Sequence, residues 1–131
     1  VQAVADRFKA ADHYLISSPM WNYGVPYKLK HLIDVIAQPG MTFGFDPAKG
    51  YFGLVPGKKV ALVLARGSMY PPDTPAAAID FQKPYLEHIL RFFGMTDFST
   101  IVVEGTLYGP EVAAQARAHG IAEAQRIAPS F

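Results

Sequence analysis

The sequence predicts an α/β fold in which a parallel sheet lies between two layers of helices. Two observations carry this reading. Short apolar runs alternate with amphipathic helical stretches along the chain, so each strand is followed by a crossover rather than a hairpin. The run Lys59-Val60-Ala61-Leu62-Val63-Leu64-Ala65 is apolar at successive positions, the pattern of a strand covered on both faces.

The elements follow in order. Val1–Lys9 reads as the end of a helix, with Val4 and Phe8 spaced i, i+4. Because residue one is Val inside a helical stretch, further residues upstream are expected. A strand follows at about His13–Ser17. The next helix, about Pro26–Ala37, carries Leu29, Leu32, Ile33 and Ile36 on one face, with Pro26 in its first turn. Lys59–Ala65 is the second strand. A long helix over about Ala77–Phe93 places Leu86, Ile89, Leu90 and Phe93 on one face, and Gly94 suits its C′ position. The third strand is about Phe98–Val103. The last helix runs from about Pro110 to Ala128, and Ala113, Ala116, Gly120 and Ala124 let it lie close to the sheet.

Two connections are long and rich in Gly and Pro: Pro39–Gly57, which also holds Phe43, Phe45, Tyr51 and Phe52, and Arg66–Thr74. Loops of that length in a small domain are usually functional or interfacial. The long helix carries a second apolar stripe, Phe81, Tyr85 and Phe92. A partner chain is expected to cover it in preference to the Pro39–Gly57 segment.

Composition narrows the function. The chain has 131 residues, one domain's worth, with 50% hydrophobic and 18% charged residues. A net charge of +1 gives no electrostatic footprint for nucleic acid or an acidic membrane. No cysteine is present, which excludes disulfides, thiolate catalysis and cysteine-ligated metals and is compatible with a cytoplasmic location. No apolar stretch approaches the ~20 residues of a membrane-spanning helix, and no signal peptide opens the chain.

In such a sheet, the loops after the three strands share the carboxyl edge, where ligands bind. They are Pro19–Gly24, Ala65–Tyr70 and Glu104–Gly109. They offer backbone N–H groups, aromatic faces and few charges, which suits a flat, neutral, conjugated ligand. Trp21 and Tyr23 flank Asn22, a donor and acceptor in one side chain. An isolated aromatic more often packs a core or an interface, but these two sit in a tight loop at the ligand edge. Arg66-Gly67-Ser68 follows the second strand directly, and Gly67 permits close backbone approach. The four histidines show no metal-ligand spacing, and His31 reads as a surface residue. Asp34, Glu104 and Glu111 read as isolated, Glu111 as an acid facing a helix dipole. No catalytic residue and no metal site is therefore assigned. Neither GxGxxG nor GxxxxGK[ST] occurs, which argues against a dinucleotide-binding Rossmann domain or a P-loop NTPase.

Pro19-Met20-Trp21-Asn22-Tyr23-Gly24-Val25-Pro26, followed by Leu29-Lys30 and Ile33-Asp34, resembles the FMN-dependent NADH-azoreductases. These belong to the flavodoxin-like NAD(P)H:quinone oxidoreductases and carry the motif PMYNFxIPxxLKxxxD. The resemblance continues through Gly40-Met41-Thr42-Phe43, Gly57-Lys58-Lys59, Arg66-Gly67, Pro84-Tyr85-Leu86, Phe93-Gly94-Met95-Thr96-Asp97, Glu104-Gly105 and Tyr108-Gly109-Pro110-Glu111, so it spans nearly the whole chain in order.

The resemblance implies a flavodoxin-like three-layer sandwich with strand order 2-1-3-4-5. Residues 1–131 would form a single flavodoxin-like domain, the C-terminal two-thirds of the family's domain, holding its third, fourth and fifth strands. The family's first strand, Ser-rich phosphate loop and first helix have no counterpart in the sequence. Their lack would expose a central sheet edge and weaken retention of FMN.

Flavin-ring contacts carry over to Met20, Trp21, Asn22 and Tyr23, and to Ala65, Arg66, Gly67 and Ser68. Trp21 stands where Tyr is usual, Ala65 where Ser is usual, and Ser68 where Gly is usual. The substrate-pocket aromatics map onto Tyr23, Phe45 and Phe92, with Phe45 contributed by the partner subunit of a homodimer. The implied activity is ping-pong transfer of two electrons from NAD(P)H, through FMN, to a quinone or azo acceptor. Backbone N–H groups of the two loops would steady the ring, and no side chain need relay a proton. The other readings are a flavodoxin-like domain that binds FMN or a partner without turning over NAD(P)H, and an inactive fragment.

Overall fold

The computed structural model describes residues 1–131. The chain runs α1 (Gln2–Ala10), β1 (His13–Pro19), α2 (Tyr27–Ile36), β2 (Phe43–Asp46), β3 (Gly50–Gly53), β4 (Lys59–Ala65), α3 (Lys83–Phe92), β5 (Asp97–Val103) and α4 (Pro110–Ile127), with short 3-10 turns at Pro75–Ile79 and Ala128–Ser130. β1, β4 and β5 form one parallel sheet in that order, the order expected for the third to fifth strands of a flavodoxin-like sheet.

Register explains the core. Tyr14 pairs with Val60 and Val60 with Phe98. The two-residue period of a strand then sends Tyr14, Ile16, Val60, Leu62, Leu64 and Phe98 to one face. The right-handed crossovers β1–α2–β4 and β4–α3–β5 advance in one direction, so both helices land on that face. Ile33 and Ile36 of α2 and Leu86 and Leu90 of α3 close over it, with Phe93 and Met95 fully buried. α1 joins the same layer through Phe8, whose ring lies 4.7 Å from that of Tyr14. α4 returns to the opposite face. Gly120 sits where a Cβ would meet Val103 Cγ2 at 2.7 Å, so the close approach expected there does need a glycine. Ala113 is buried as expected, but Ala124 faces solvent. On that second face Leu15 of the edge strand β1 is 67% exposed.

The structure corrects three sequence expectations. The helix expected over Ala77–Phe93 is broken: Pro75–Ile79 is a 3-10 turn, Asp80–Gln82 is non-helical, and α3 begins at Lys83. Pro84 is the cause. In a continuous helix its ring would strike the carbonyl of Asp80, whereas in a first turn its missing N–H costs nothing.

Second, Pro39–Gly57 is not an open loop. β2 and β3 pair antiparallel, Phe43 opposite Gly53 and Phe45 opposite Tyr51. Asp46 Oδ1 accepts the N–H groups of Ala48 and Lys49 and closes the turn. Gly53 packs backbone to backbone on Gly94, the positive-φ residue that ends α3. Third, this hairpin covers Phe92. Phe43 and Tyr51 bring their rings to 4.7 and 5.6 Å from it, so Phe92 needs no partner chain, while Phe81 stays exposed. A smaller shift concerns Pro26, which is the N-cap of α2 rather than its first residue.

Candidate functional site

The three loops expected at the carboxyl edge do lie side by side. β1 leads into a tight hairpin turn in which Trp21 and Gly24 exchange backbone hydrogen bonds, each 3.0 Å. The two central residues sit in the left-handed region, Asn22 at φ 50° and Tyr23 at φ 67°. Two-residue turns of this hand match the twist of the flanking chain, and they favour Asn followed by Gly. Asn22 fits that preference. Tyr23 does not, and a bulky residue held there is strained. Strain of this kind collects at functional sites. Trp21 and Tyr23 are both about half exposed, with their faces open rather than spent on the core.

The second loop continues β4. Met20 N–H donates to Ala65 O at 2.8 Å and Arg66 N–H to Val103 O at 2.9 Å, so the sheet ladder extends into the site. The third loop zips onto the second: Leu107 N–H donates to Gly67 O, Gly105 N–H to Ser68 O, and Thr106 Oγ1 to Arg66 O. A Cβ on Gly67 would fall 2.6 Å from Cδ1 of Leu107, an exposed side chain that can swing aside. After this pairing, the N–H groups of Asn22, Tyr23, Gly67 and Ser68 make no hydrogen bond within the chain. Four backbone donors are thus left over on two adjacent loops.

Arg66 itself is not free to meet a ligand through its side chain. It is 6% exposed; its Nη1 pairs with Asp80 Oδ2, its Nε lies 3.0 Å from Glu104 Oε2, and its guanidinium stacks 4.9 Å from the Tyr70 ring centre. Glu104 also accepts Tyr70 N–H at 3.3 Å. Two sequence expectations change here. Glu104 is not isolated but shares Arg66 with Asp80 in a largely buried network, and Asp34 is held by Lys30 at 2.6 Å. That carboxylate hydrogen bond raises the Lys30 pKa above its usual value. Arg66 N–H is spent on Val103 O, so the donors this loop offers a ligand are those of Gly67 and Ser68 that follow it.

Asp80 and Gln82 escaped the sequence reading. Asp80 Oδ1 accepts the N–H groups of Gln82 and Lys83 and so caps α3, while Gln82, fully buried, donates from Nε2 to Ser18 O at 3.1 Å. The break before Pro84 was the available signal for Asp80. Nothing in the pattern marks Gln82.

The aromatics read as a substrate pocket form two groups. Phe45 meets Tyr51 at 5.0 Å and Tyr51 meets Phe92, which puts Phe45 and Phe92 in the hairpin cluster, whereas Tyr23 has no ring contact with them. Phe45 is 60% exposed. His31 lies at the surface, as expected.

The loops fit the flat part of a conjugated heterocycle. Unpaired N–H groups suit carbonyl and imine acceptors along one ring edge, Trp21 and Tyr23 supply apolar faces, and the cation beside the loops, Arg66, is paired with Asp80 and Glu104. No loop here has the glycine run that cradles a phosphate.

Comparison with known proteins points the same way. Residues 1–128 match the pattern of a family described as having a flavodoxin-like fold. An FMN-dependent NADH:quinone oxidoreductase of Nitratidesulfovibrio vulgaris (strain DP4) is 49% identical over 132 residues, covering all of this chain and 63% of that protein. The crystal structure of an azoreductase from Bacillus anthracis (strain Sterne) superposes with a TM-score of 0.91 at 34% identity, covering 99% of this chain and 62% of that one. An FMN-dependent NADH-azoreductase from the Ames Ancestor strain, crystallised in complex with FMN, does so with a TM-score of 0.80 at 26% identity, over 94% and 59% of the two chains. The chain thus spans about 60% of the length of these relatives.

Proposed function

This chain belongs to the flavodoxin-like fold family, and from that premise we propose that it forms the ring-binding part of an FMN-dependent oxidoreductase passing two electrons from NAD(P)H to quinones or azo compounds. The observation that carries the proposal is the pair of loops with four unpaired N–H groups, those of Asn22, Tyr23, Gly67 and Ser68. The names of the quinone oxidoreductase and azoreductases that the chain resembles supply the chemistry.

FMN, when bound, supplies the electron-accepting and electron-donating chemistry. The chain's own residues do the rest. The Trp21–Tyr23 turn and the Gly67–Ser68 loop hold the ring edge by backbone N–H groups. Donors fixed in advance stabilise negative charge as it develops, because they need not reorient. Neutralisation of Arg66 by Asp80 and Glu104 keeps a strong positive charge from competing with those donors. Met20, Trp21 and Tyr23 shield the ring from water. Ala65 ends β4 beneath the site, where its carbonyl accepts Met20 N–H and so ties the two loops together. No side chain acts as acid or base, so turnover should not follow the titration of any single residue.

Tyr23, about half exposed, would line the face at which an acceptor meets the ring. Phe45 is 60% exposed on its hairpin, linked through Tyr51 to Phe92, and we assign it to the pocket of a second copy in a homodimer. No helix is long and apolar enough to cross a membrane. The full-length protein, loaded with FMN, tests the mechanism by steady-state kinetics with NADH and a quinone. Parallel double-reciprocal lines are expected for ping-pong transfer; intersecting lines would refute it.

A further inference from the structure

We infer that Asp80-Phe81-Gln82 is a positioning clamp that fixes the Trp21–Gly24 turn against the Arg66–Ser68 loop, and that Gln82 is its pivotal side chain. The inference concerns the geometry of the site and rests, for its consequence on cofactor binding, on the function proposed above.

Three consecutive residues reach three different parts of the site. The Asp80 carboxylate pairs with Arg66, at the start of the second loop. Phe81 N–H donates to Tyr23 O at 2.9 Å, in the strained turn. Gln82 Nε2 donates to Ser18 O at 3.1 Å, in the strand that leads to the turn. The first and third contacts are buried, with Asp80 8% and Gln82 0% exposed.

The sequence explains how this is possible. Pro84 ends helical structure before Lys83. The N–H of Phe81 is therefore not committed to a helix ladder and can serve the turn. A strained residue persists only where its surroundings over-determine it, and for Tyr23 the bond from Phe81 does this.

Gln82 is a poor choice for stability alone. Its Oε1 is buried with no partner, and an unsatisfied buried acceptor is destabilising. Leu or Met would fill the same volume without that penalty. What only the carboxamide supplies is a donor to Ser18 O.

The test uses the full-length protein and three variants. Gln82→Met keeps volume and removes the donor. Asp80→Asn keeps the cap and weakens the hold on Arg66. Thr42→Val is the matched control: Thr42 is fully buried and donates to Ile36 O at 2.8 Å, away from the loops. Amide hydrogen exchange without cofactor is read for peptides covering 20–24 and 66–70, and FMN affinity is measured by titration. Q82M should speed exchange in the first peptide, D80N in the second, and T42V in neither. Both clamp variants should weaken FMN binding by about tenfold, the scale set by a loop that must be re-ordered on binding. If Q82M fails to fold, D80N carries the test. Loop exchange no faster in the clamp variants than in T42V overturns the clamp. Faster exchange with unchanged FMN affinity overturns its role in binding. Faster exchange in a protein whose wild type binds no FMN leaves the clamp standing and refutes the proposed function.

Discussion

Trp21 and Gly24 exchange two 3.0 Å backbone hydrogen bonds across Asn22 and Tyr23, both in the left-handed region. Closure by Trp21 and Gly24 turns the N–H groups of the two central residues away from the chain. The aromatic turn is therefore a donor site because of its backbone hand, and Tyr23 occupies a position better suited to glycine.

Tyr23→Gly should therefore leave stability nearly unchanged. Relief of about 1 kcal/mol of left-handed strain offsets a similar loss of chain entropy. FMN affinity should fall, because an apolar face over the ring is lost. Thermal melting with and without FMN checks both. A loss of several kcal/mol in the flavin-free protein would mean that Tyr23 is a packing residue.

Gly53→Ala should destabilise the protein by ~2–3 kcal/mol, the scale of overpacking. Its Cβ would lie 2.2 Å from Gly94 N and 2.3 Å from Gly94 Cα, backbone atoms that cannot swing aside. Gly44→Ala should cost less, since the atom in its way belongs to the movable, half-exposed Phe52 ring. Urea denaturation of the two variants measures the difference, and equal costs would contradict the packing of β3 on the end of α3.

Arg66→Lys should be markedly destabilising, by about 2–4 kcal/mol, despite keeping the charge. One ammonium cannot span Asp80 and Glu104 as the guanidinium does, and a buried carboxylate is left without its partner. Chemical denaturation reads this directly. A near-neutral result would show that the network is solvated.

Tyr14→Phe links stability to pH. Burial raises the Tyr14 pKa above 10.0, with Asp12 adding to the effect, and the hydroxyl donates to Phe8 O at 2.6 Å. Its contribution is complete below the unfolded value of about 10 and is lost as pH rises through the higher folded value. The variant should be less stable by about 1 kcal/mol at neutral pH, and its deficit should shrink above pH ~10. Melting temperatures across that range give the comparison; a deficit that grows with alkalinity would reverse the assigned direction.

The parallel sheet was legible in the sequence because its signals are local. Val60, Leu62 and Leu64 mark β4, Ile33 and Ile36 mark α2, and Gly94 marks the end of α3. The edge loops followed from topology, and the aromatics around Asn22 pointed to one of them. The remainder depends on contacts distant in sequence. Pairing of Phe43 and Phe45 with Gly53 and Tyr51 is non-local, and the turn at Asp46–Gly50 was its one local sign. The network of Arg66 with Asp80 and Glu104 joins residues 14 and 38 positions apart, so Glu104 looked isolated and Asp80 carried no signal of its own. The left-handed state of Tyr23 left no trace, since tyrosine gives no reason to expect it.

The proposed function requires that these loops hold a flavin that NADH reduces. Anaerobic titration of the full-length, FMN-loaded protein with NADH, followed in the visible flavin band, tests it most directly. The expected result is stoichiometric bleaching that returns on adding a quinone. Bound flavin whose band is unchanged by NADH would contradict it.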